Sequence, residues 1–502
     1  MRLRELVDPS QLRAVHGSLD VEVARIVTDS RDVAPGDLFV CLPGYRSAGG
    51  ETRADRHDFI SAALQRGAAA LLVEREVAAI DGVTVARVVD AWAAVAVAAA
   101  RACDHPSRAL RVVGVTGTSG KTSTTYFIEA VLAAAGQRVA RFGTIEYRLG
   151  DRILPAAQTT PEAPLLQSLL RAALDEGCTA AVMEVSSHAL ELRRVDQIDF
   201  DVAVFTNLSH DHLNFHPDMQ HYRRAKGRLF EGLGSAGKRA TAVVNVDDPA
   251  SAYILGVNRG APLTYGIERA ADVRARAVRT SLRGAAFSAD TPRGTVEVEL
   301  HHLGDYSVYN ALAALAVGES LGLPLDRIAA GLAAAPPVPG RFELVDAGQD
   351  FVVAVDYAHK PDALQRLLQS ARRLEPRRVI TVFGCRGDRD RAKRPVMGRI
   401  AVELSDRTIV TSDNPRSEEP QAIVAEILAG ARAVDPSGAR HVAVVDRARA
   451  IADAVALAEP GDIVLIAGKG HEPYQLIAGQ RLDFDDRLVA RAALEKRMRG
   501  NS

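Results

Sequence analysis

The chain has 502 residues, more than one hydrophobic core usually serves, and this length predicts about three domains of ~150 residues each. A hydrophobic content of 47%, a charged content of 25% and a formal net charge of −1 are typical of a soluble globular protein, without a global field for nucleic acid or a membrane surface. The N-terminus has no apolar signal core, and the longest apolar stretch, 91–100, is too short to span a membrane.

The first part of the chain, residues 1–107, is predicted to form an N-terminal domain. It holds short strand-like runs such as DLFVCL (37–42), separated by turns, one of them at 44–50. The alanine-rich segment Ala91–Ala102 has a helical pattern, and HPSR at 105–108 is interpreted as a linker.

A regular alternation of buried strands and helices begins next and predicts a central domain, residues 108–336. LRVVGVTG is a continuous apolar strand that ends in glycine, and the helical segment TSTTYFIEAVLAAAG follows it. CTAAVMEV, FDVAVFTNL and TAVVNVDD are further buried-strand runs, and a more polar β-rich stretch covers about 272–302. This alternation predicts a mostly parallel sheet with helices on both faces.

APPVPGRFE at 335–343 is the second candidate boundary, and residues 337–502 are predicted to form a C-terminal α/β domain. Its strands lie in FVVAVDYAHK, RRVITVFGCRGD, RTIVTSDNP and DIVLIAGKGHE, and each ends in a loop rich in Gly, Asp, His or Arg. Since ligands bind at the carboxyl ends of strands in open α/β sheets, these loops predict a site.

The motif GTSGKT at 117–122 stands between a strand and a helix and predicts a phosphate-binding loop. Its glycines let the backbone wrap a phosphate, Lys121 adds a cation, and Thr122 can ligate Mg²⁺. The strict eight-residue pattern fails because position 115 is Val115, so only the shorter GxxGKT remains. A glycine-rich turn with a surface lysine is the structural alternative.

A phosphate loop needs an acid for its metal, and Glu184 ends the strand AAVMEV. The loop NLSHDHLNFH at 207–216 packs histidines and an aspartate together, but its spacing matches no standard zinc pattern. The four cysteines are scattered without a CxxC pair, which argues against disulfides and structural zinc and favours a reducing cytosol. Cys385, close to a strand-end motif, is interpreted as a buried inert thiol.

Taken together, these motifs resemble the Mur ligases, bacterial cytoplasmic enzymes that build the peptidoglycan stem peptide. The resemblance runs nearly end to end through GTSGKT, QTTP, EVSSHAL, TNLSHDHLNFH, HYRRAKGRLF, DYAHKPDAL, GDRDRAKRP, DNPRSEEP and AGKGHEPYQ. It implies an N-terminal domain for a uridine nucleotide, a central P-loop ATPase domain and a C-terminal Rossmann-like domain. A cytoplasmic monomer that binds no nucleic acid is expected.

The resemblance is strongest to the family member that adds the third stem residue, and it implies ATP-driven amide bond formation through an acyl phosphate. The implied substrates are UDP-MurNAc-L-Ala-D-Glu and meso-diaminopimelate, with two Mg²⁺ ions. The implied catalytic residues are Lys121, Glu184, His212 and Lys226, and the implied metal ligands are Thr122, Glu184, His212 and a CO₂-derived carbamate on Lys226. Without the resemblance, Lys226 reads as a helix-surface lysine among arginines.

The resemblance also implies three sets of ligand contacts. The ATP contacts are Gly117, Thr118, Ser119, Gly120, Lys121, Thr122, Asn310, Arg341, Asp356 and His359. The contacts to the UDP-linked substrate are Ser30, Arg31, Thr159, Thr160, Ser186 and Arg194, while His57 and Leu192 stand where the chain departs from the family motif. The amino-acid contacts are Arg389, Asp413, Asn414, Pro415, Arg416, Gly468 and Glu472.

The resemblance also implies that DNPR, and Arg416 within it, selects the amino acid. Its guanidinium can clamp the far carboxylate of diaminopimelate, and it repels the bare ammonium of L-lysine. Glu472 is expected to take the far ammonium of diaminopimelate. The alternatives are the L-lysine-adding ligase of the same family, a folylpolyglutamate synthetase-like ligase, and a P-loop protein that hydrolyses ATP without ligation.

Overall fold

The structure is a computed structural model that describes residues 1–46, 52–235 and 237–500. The turn predicted at 44–50 therefore lies largely outside the described residues. The chain divides into two compact units: unit 1 is Met1–Arg276, Ser288–Glu297 and Tyr309–Ala334, and unit 2 is Ala277–Phe287, Val298–Val308 and Ala335–Ser502. No helix in the described ranges is both long and apolar enough to cross a membrane.

The N-terminal part of unit 1 contains a sheet in the order β1-β7-β6-β3-β2. Its strands, with a separate hairpin of β4 and β5, are β1 (Leu12–His16), β2 (Ile26–Val27), β3 (Leu38–Val40), β4 (Tyr45–Arg46), β5 (Thr52–Arg53), β6 (Ala70–Val73) and β7 (Thr84–Val88). The helices are α1 (Leu3–Leu6), α2 (Ile60–Gln65) and α3 (Ala91–Ala102).

Helix α3 has the predicted bounds, because Asp90 caps its first turn by accepting a hydrogen bond from the Ala93 amide at 2.9 Å. The predicted linker at 105–108 holds a short 3-10 turn, Pro106–Arg108, in which Pro106 and Ser107 are buried. The connection is therefore packed against the protein.

An eleven-stranded sheet in the order β11-β10-β9-β12-β8-β13-β14-β15-β16-β17-β18 follows. Its strands are β8 (Arg111–Thr116), β9 (Val139–Phe142), β10 (Glu146–Leu149), β11 (Arg152–Pro155), β12 (Ala180–Glu184), β13 (Val202–Phe205), β14 (Thr241–Asn245), β15 (Ala261–Gly266), β16 (Val273–Ser281), β17 (Gly284–Thr291) and β18 (Gly294–Leu300). Its helices are α4 (Lys121–Ala134), α5 (Ala163–Asp175), α6 (Ser187–Glu191), α7 (Met219–Glu231), α8 (Ser251–Val257), α9 (Asp305–Ser320) and α10 (Leu325–Ala333).

The predicted mostly parallel sheet is confirmed, since every neighbouring pair from β9 to β16 is parallel. Strand β8 lies between β12 and β13, with Val115 opposite Glu184 and Thr116 opposite Phe205. The loops that follow these three strands therefore meet at one edge of the sheet.

Unit 2 has a six-stranded sheet in the order β19-β20-β24-β21-β22-β23 and a hairpin of β25 and β26. The strands are β19 (Glu343–Leu344), β20 (Val352–Asp356), β21 (Val379–Phe383), β22 (Arg407–Val410), β23 (His441–Ala443), β24 (Ile463–Ala467), β25 (Tyr474–Ile477) and β26 (Gln480–Asp483). The helices are α11 (Pro361–Arg373), α12 (Lys393–Leu404), α13 (Pro420–Val434), α14 (Arg447–Leu457) and α15 (Asp486–Gly500).

All neighbouring strands from β20 to β23 are parallel, so the loops after β20, β24, β21 and β22 lie at one edge. Apolar residues cover both faces of this sheet, because strands such as Val379–Phe383 are buried throughout. Cys385 lies under α12, and burial raises the pKa of its thiol to about 12. The interpretation of Cys385 as a buried thiol is therefore confirmed, and its raised pKa fits the expected inertness.

Candidate active site

The turn between β8 and α4 is built to wrap an anion. Gly117 and Gly120 have φ angles of 153° and 85°, which side chains rarely adopt, and a side chain at Gly117 would collide with Thr206. The Nζ of Lys121 donates to the carbonyl oxygens of Gly117 (2.8 Å) and Thr118 (3.0 Å), which folds its charge back over the turn. Amides at a helix N-terminus together with a lysine favour a phosphate.

Two further predicted ATP contacts support this turn. The amide of Ser119 donates to the side-chain oxygen of Asn207 at 3.0 Å. Asn310, which is buried, accepts from the hydroxyl of Thr124 at 3.1 Å, and a side chain at Gly120 would collide with it. Asn310 therefore packs against the turn.

A buried carboxylate lies beside the first turn of α4. Glu184, the last residue of β12, is 1% exposed and accepts from the hydroxyl of Thr122 at 3.0 Å. It also accepts from the amide of Thr144 at 2.8 Å, and the Thr144 hydroxyl lies 3.1 Å from that of Thr159. Because Mg²⁺ prefers oxygen ligands, Thr122 and Glu184 are a suitable donor pair for it.

Residues predicted to touch the UDP-linked substrate surround the same strand end. The hydroxyl of Thr160 donates to the carbonyl oxygen of Glu184 (2.8 Å) and accepts from the amide of Ser186 (3.1 Å). Arg194 donates from Nη1 to the carbonyl oxygen of Thr160 at 2.9 Å. The structure thus brings Thr160, Ser186 and Arg194 together next to Glu184.

Lys226 lies in the interior, and the helix-surface interpretation is wrong. It is 1% exposed, its Nζ donates to the carbonyl oxygen of Gly117 at 2.8 Å, and it lies 4.5 Å from the ring centre of Tyr222. Burial, and then the charge of Lys121, lower the pKa of Lys226 well below its usual value. Lys121 and Lys226 therefore converge on one carbonyl oxygen.

The histidine loop after β13 packs its rings together. The ring of His188 lies 5.1 Å from that of His212 and 5.8 Å from that of His216, and Phe215 stacks on it. Burial, followed by the charges of His188 and Lys226, lowers the pKa of His216 to about 4. Across residues 1–46, 52–235 and 237–500, no group of three or more His, Cys, Asp or Glu could hold a metal ion, so the zinc alternative gains no support.

In the N-terminal part of unit 1, Ser30 and Arg31 begin a 3-10 turn, Ser30–Asp32. Ser30 is 9% exposed, whereas the Arg31 side chain is 82% exposed and pairs with Asp29 at 2.6 Å. The two residues thus offer a buried hydroxyl and an exposed guanidinium.

A cleft with a volume of ≈ 730 Å³ opens beside this turn and is lined in part by Arg53, Arg56 and Glu162. Both guanidiniums pair with the Glu162 carboxylate. Burial raises the pKa of Glu162, but Arg56 and Arg53 outweigh it and lower the pKa to about 2. These arginines were not predicted as site residues, although Arg53 precedes the DRH motif and Arg56 lies within it.

In unit 2, the predicted ATP-side residues gather after β20. Asp356 accepts from the amides of Phe342 and Ala358, both at 2.8 Å, and burial raises its pKa even though Arg341 lowers it. The ring of His359 contacts the carbonyl oxygen of Tyr357 at 2.7 Å. Burial lowers the pKa of His359 well below its usual value, and nearby cations add to this.

The loops after β22 and β24 join at the predicted amino-acid contacts. Asn414 donates from Nδ2 to Glu472 Oε2 at 2.9 Å, and its carbonyl oxygen accepts from the amide of Gly387 at 2.9 Å. A side chain at Gly468 would collide with Asp413, whose own side chain is fully buried. Only a glycine therefore allows these two loops to approach.

Arg416 has a φ angle of 57°, a strained conformation for a residue with a side chain. Its amide donates to the carbonyl oxygen of Leu476 (2.8 Å), and its carbonyl oxygen accepts from the amide of Ala478 (2.7 Å). Gln475 donates to the carbonyl oxygen of Asp413 at 2.8 Å. The β25–β26 hairpin thus fixes the backbone of DNPR, a role that the sequence analysis missed.

Two arginines of unit 2 follow β21, and only one of them was predicted as a site residue. Arg389, a predicted amino-acid contact, is exposed, and its Nη1 lies 3.5 Å from the carbonyl oxygen of Asp388. Arg386, which was not predicted, donates from Nη2 to Glu472 Oε1 at 2.8 Å. Its position in the strand-end loop GCRGDRD, directly after β21, could have marked Arg386 as a site residue in the sequence.

Comparisons with known proteins agree with this arrangement. Three family models match: the Mur ligase family catalytic domain over 22–115, the Mur ligase middle domain over 115–318, and the Mur ligase glutamate ligase domain over 340–470. The UDP-N-acetylmuramoyl-L-alanyl-D-glutamate--2,6-diaminopimelate ligase of Syntrophomonas wolfei is 44% identical over 499 residues, which cover 99% of this chain and 100% of that protein.

The ligase of the same name from Geobacillus kaustophilus is 46% identical over 486 residues, which cover 96% of this chain and 97% of that protein. A solved structure of a UDP-N-acetylmuramoyl-L-alanyl-D-glutamate--2,6-diaminopimelate ligase matches with a TM-score of 0.70 and 33% identity, over 99% of both chains. The resemblance inferred from the motifs is confirmed, and the chain belongs to the Mur ligase family.

Proposed function

We propose that this protein is an ATP-dependent ligase that adds meso-2,6-diaminopimelate to UDP-MurNAc-L-Ala-D-Glu, a cytoplasmic step of peptidoglycan precursor synthesis. The observation that carries the proposal is the edge of the eleven-stranded sheet, where Lys121 and Lys226 converge on Gly117 beside the Thr122–Glu184 pair. The printed names of relatives at 44% and 46% identity support the same reaction.

The proposed chemistry has two steps. The D-Glu side-chain carboxylate attacks the γ-phosphorus of ATP, so that an acyl phosphate forms and ADP leaves. The amine of diaminopimelate then attacks the acyl carbon, and phosphate leaves as the amide forms. Because the carboxylate and the γ-phosphate are both anions, the amides of the 117–120 turn and Lys121 favour the first step by neutralising charge.

Two Mg²⁺ ions are part of this proposal, and they would supply further charge neutralisation. Thr122 and Glu184 would hold the first ion, because both present oxygen atoms. His212 and Lys226 would hold the second, provided that Lys226 carries a carbamate, since an ammonium cannot ligate a cation. The lowered pKa of Lys226 fits this modification because the neutral amine is the form that reacts with CO₂.

We propose the remaining ligand contacts from the family motifs. The ATP contacts would be Gly117, Thr118, Ser119, Gly120, Lys121, Thr122, Asn310, Arg341, Asp356 and His359, and the UDP-substrate contacts Ser30, Arg31, Thr159, Thr160, Ser186 and Arg194. The amino-acid contacts would be Arg389, Asp413, Asn414, Pro415, Arg416, Gly468 and Glu472. Arg416 would favour a substrate with a far carboxylate over L-lysine, because a guanidinium binds carboxylates bidentately.

The test is phosphate release by the purified full-length protein. Release is expected to require ATP, UDP-MurNAc-L-Ala-D-Glu and meso-diaminopimelate together, and mass spectrometry is expected to find the tripeptide product. Reactions that omit one substrate in turn are the controls. Phosphate release from ATP alone, unaffected by either other substrate, would contradict the proposal, and a preference for L-lysine would contradict the choice of amino acid.

A further inference from the structure

Arg386 occupies a defined position among the strand-end loops of unit 2. It follows β21, which lies between β24 and β22 in the sheet. Its Nη2 donates to Glu472 Oε1 at 2.8 Å, while Asn414 donates to the other oxygen of the same carboxylate at 2.9 Å. The Arg386 side chain is only 12% exposed. A guanidinium and the carboxylate expected to receive the ligand ammonium are therefore already adjacent.

The charge of Arg386 is held by two carboxylates. Its Nε lies 3.7 Å from Oδ1 of Asp413, whose side chain is fully buried and whose oxygens accept no hydrogen bond from the described residues. Burial by itself lowers the pKa of Arg386, but Asp413, Tyr357 and Glu472 raise it above its usual value. The guanidinium also lies 5.1 Å from the ring centre of Tyr357. Arg386 is therefore a fixed cation.

The Arg386–Glu472 pair keeps hydrogen-bonding capacity. The two hydrogen bonds of the guanidinium to Glu472 and to the carbonyl oxygen of Gly468 (3.4 Å) both leave from Nη2. A guanidinium has five N–H donors and a carboxylate about four lone-pair sites, and Glu472 accepts from Arg386, Asn414 and, at 3.4 Å, the Tyr357 hydroxyl. An α-amino-acid head carries an ammonium next to a carboxylate. Its ammonium can therefore face Glu472 while its carboxylate faces Arg386.

We propose that Arg386 is a second specificity-determining residue, which together with Glu472 receives the zwitterionic far end of the amino-acid substrate. The inference rests on the proposed function and names a residue beyond the Arg416 selector. A far end with both charges gains from both partners, whereas the bare ammonium of L-lysine is attracted by Glu472 and repelled by Arg386.

The experiment compares three amino acids that differ at the far end: meso-diaminopimelate has both charges, L-2-aminopimelate only the carboxylate, and L-lysine only the ammonium. The Arg386→Gln variant keeps the approximate size and a donor but removes the charge. Its kcat/KM is expected to fall at least about tenfold for diaminopimelate and for aminopimelate, through KM, because a charge-assisted hydrogen bond is lost. Its kcat/KM for L-lysine is expected to stay unchanged or rise.

Arg391→Ala is the matched control, since Arg391 lies in the same loop, pairs with Glu426 and has a side chain that is 69% exposed. It is expected to keep the wild-type ratios of kcat/KM among the three amino acids. Arg386→Lys, which restores the charge, is expected to recover part of the preference for diaminopimelate over L-lysine. KM for ATP is expected to change less than about twofold in every variant. Circular dichroism and the melting temperature of each variant verify the fold.

In Arg386→Gln, an equal loss of kcat/KM for all three amino acids would overturn the inference and leave Arg386 a structural residue. An unchanged ratio of kcat/KM between diaminopimelate and L-lysine would do the same. If Arg386→Gln fails to fold, Arg386→Lys decides. A preference for diaminopimelate over L-lysine that falls below that of the wild type supports the inference, whereas an unchanged preference or an equal loss for all three amino acids overturns it. Rejection of meso-diaminopimelate by the wild-type enzyme would overturn the proposed function itself, which separates the two failures.

Discussion

Lys226 shows how far one side chain depends on its surroundings. The same residue type is usually an exposed cation, yet here Nζ is enclosed against Gly117 and the ring of Tyr222. Loss of a proton costs little in such a place, because burial penalises the charged form. A buried lysine whose pKa is lowered next to a phosphate-binding turn is unusual for a structural residue, and this placement supports a functional role.

We expect Lys226→Ala to lose ligase activity by at least about a hundredfold, because the proposed carbamate oxygen disappears from the second metal position. Added bicarbonate is expected to support the unmodified enzyme and to leave the variant inactive. Phosphate release and product formation measure both effects. Arg224→Ala, on the exposed side of α7, is the control and is expected to retain activity. Full activity of Lys226→Ala would remove this residue from the metal site.

In the sequence, the only sign that Lys226 is buried is its place on one face of a helix. Tyr222, Lys226 and Phe230 are spaced by four residues, and all three are buried on α7. Arg223 and Arg224 mask this period, because they make the segment look like a basic surface. The motif resemblance pointed to the residue, but composition alone favoured the wrong side of the helix.

At the scale of elements, strands and helices with clear apolar boundaries were predictable. Helix Ala91–Ala102 has the expected bounds, strand Arg407–Val410 lies within the predicted run RTIVTSDNP, and the glycine turn lies between β8 and α4. The order β12-β8-β13 was not readable, because strand neighbours are set by packing between segments far apart in sequence. The β25–β26 hairpin was missed too, since β26 is exposed throughout and lacks an apolar face.

Helices α14 and α15 each begin with one partner of a buried ion pair. Arg447 and Asp486 are both fully buried, with Nη2 and Oδ2 2.7 Å apart. Arg447 also donates to the carbonyl oxygens of Ser412 (3.2 Å) and Ala467 (3.1 Å), at the ends of β22 and β24. The pair therefore ties two helices to the strand ends that carry DNPR and AGKGHE.

We expect Asp486→Asn to destabilise the β22 and β24 region by about 3 to 5 kcal/mol, because it leaves the buried charge of Arg447 uncompensated. Hydrogen-exchange mass spectrometry of peptides covering both strands measures this local free energy. The control is Asp453→Asn on α14, whose partner Arg449 is 3.7 Å away and 77% exposed. That change is expected to have little effect. Equal protection in both variants would contradict a positioning role for the buried pair.

For the whole molecule, the sequence predicted three domains and the α/β class, and the family models match three successive segments. The boundaries 1–107, 108–336 and 337–502 remain predictions. The chain packs as two compact units. The segments Ala277–Phe287 and Val298–Val308 belong to the same unit as the C-terminal residues. Sequence order could not reveal that these two segments of the predicted central domain pack in the C-terminal unit. A unit is defined by packing, and Leu303 packs with residues such as Leu364.

The two units provide separate reporters for ligand binding. Trp92, the single tryptophan, lies in unit 1, so its fluorescence follows the unfolding of that unit, and amide exchange of β24 follows unit 2. UDP-MurNAc-L-Ala-D-Glu is expected to raise the melting temperature reported by Trp92, since all its proposed contacts lie in unit 1. meso-Diaminopimelate is expected to protect β24 instead.

A ligand at a hundred times its Kd stabilises the state that binds it by about 2.7 kcal/mol, so both effects should be measurable. Arg416→Ala is the matched variant: it is expected to lose the protection by meso-diaminopimelate and to keep the response of Trp92 to the UDP-linked substrate. An equal response of both reporters to each ligand alone would contradict this division of the binding sites. We expect distinct responses because Thr160 and Arg416 lie in different compact units, so that each proposed ligand would stabilise the unit that holds its contacts.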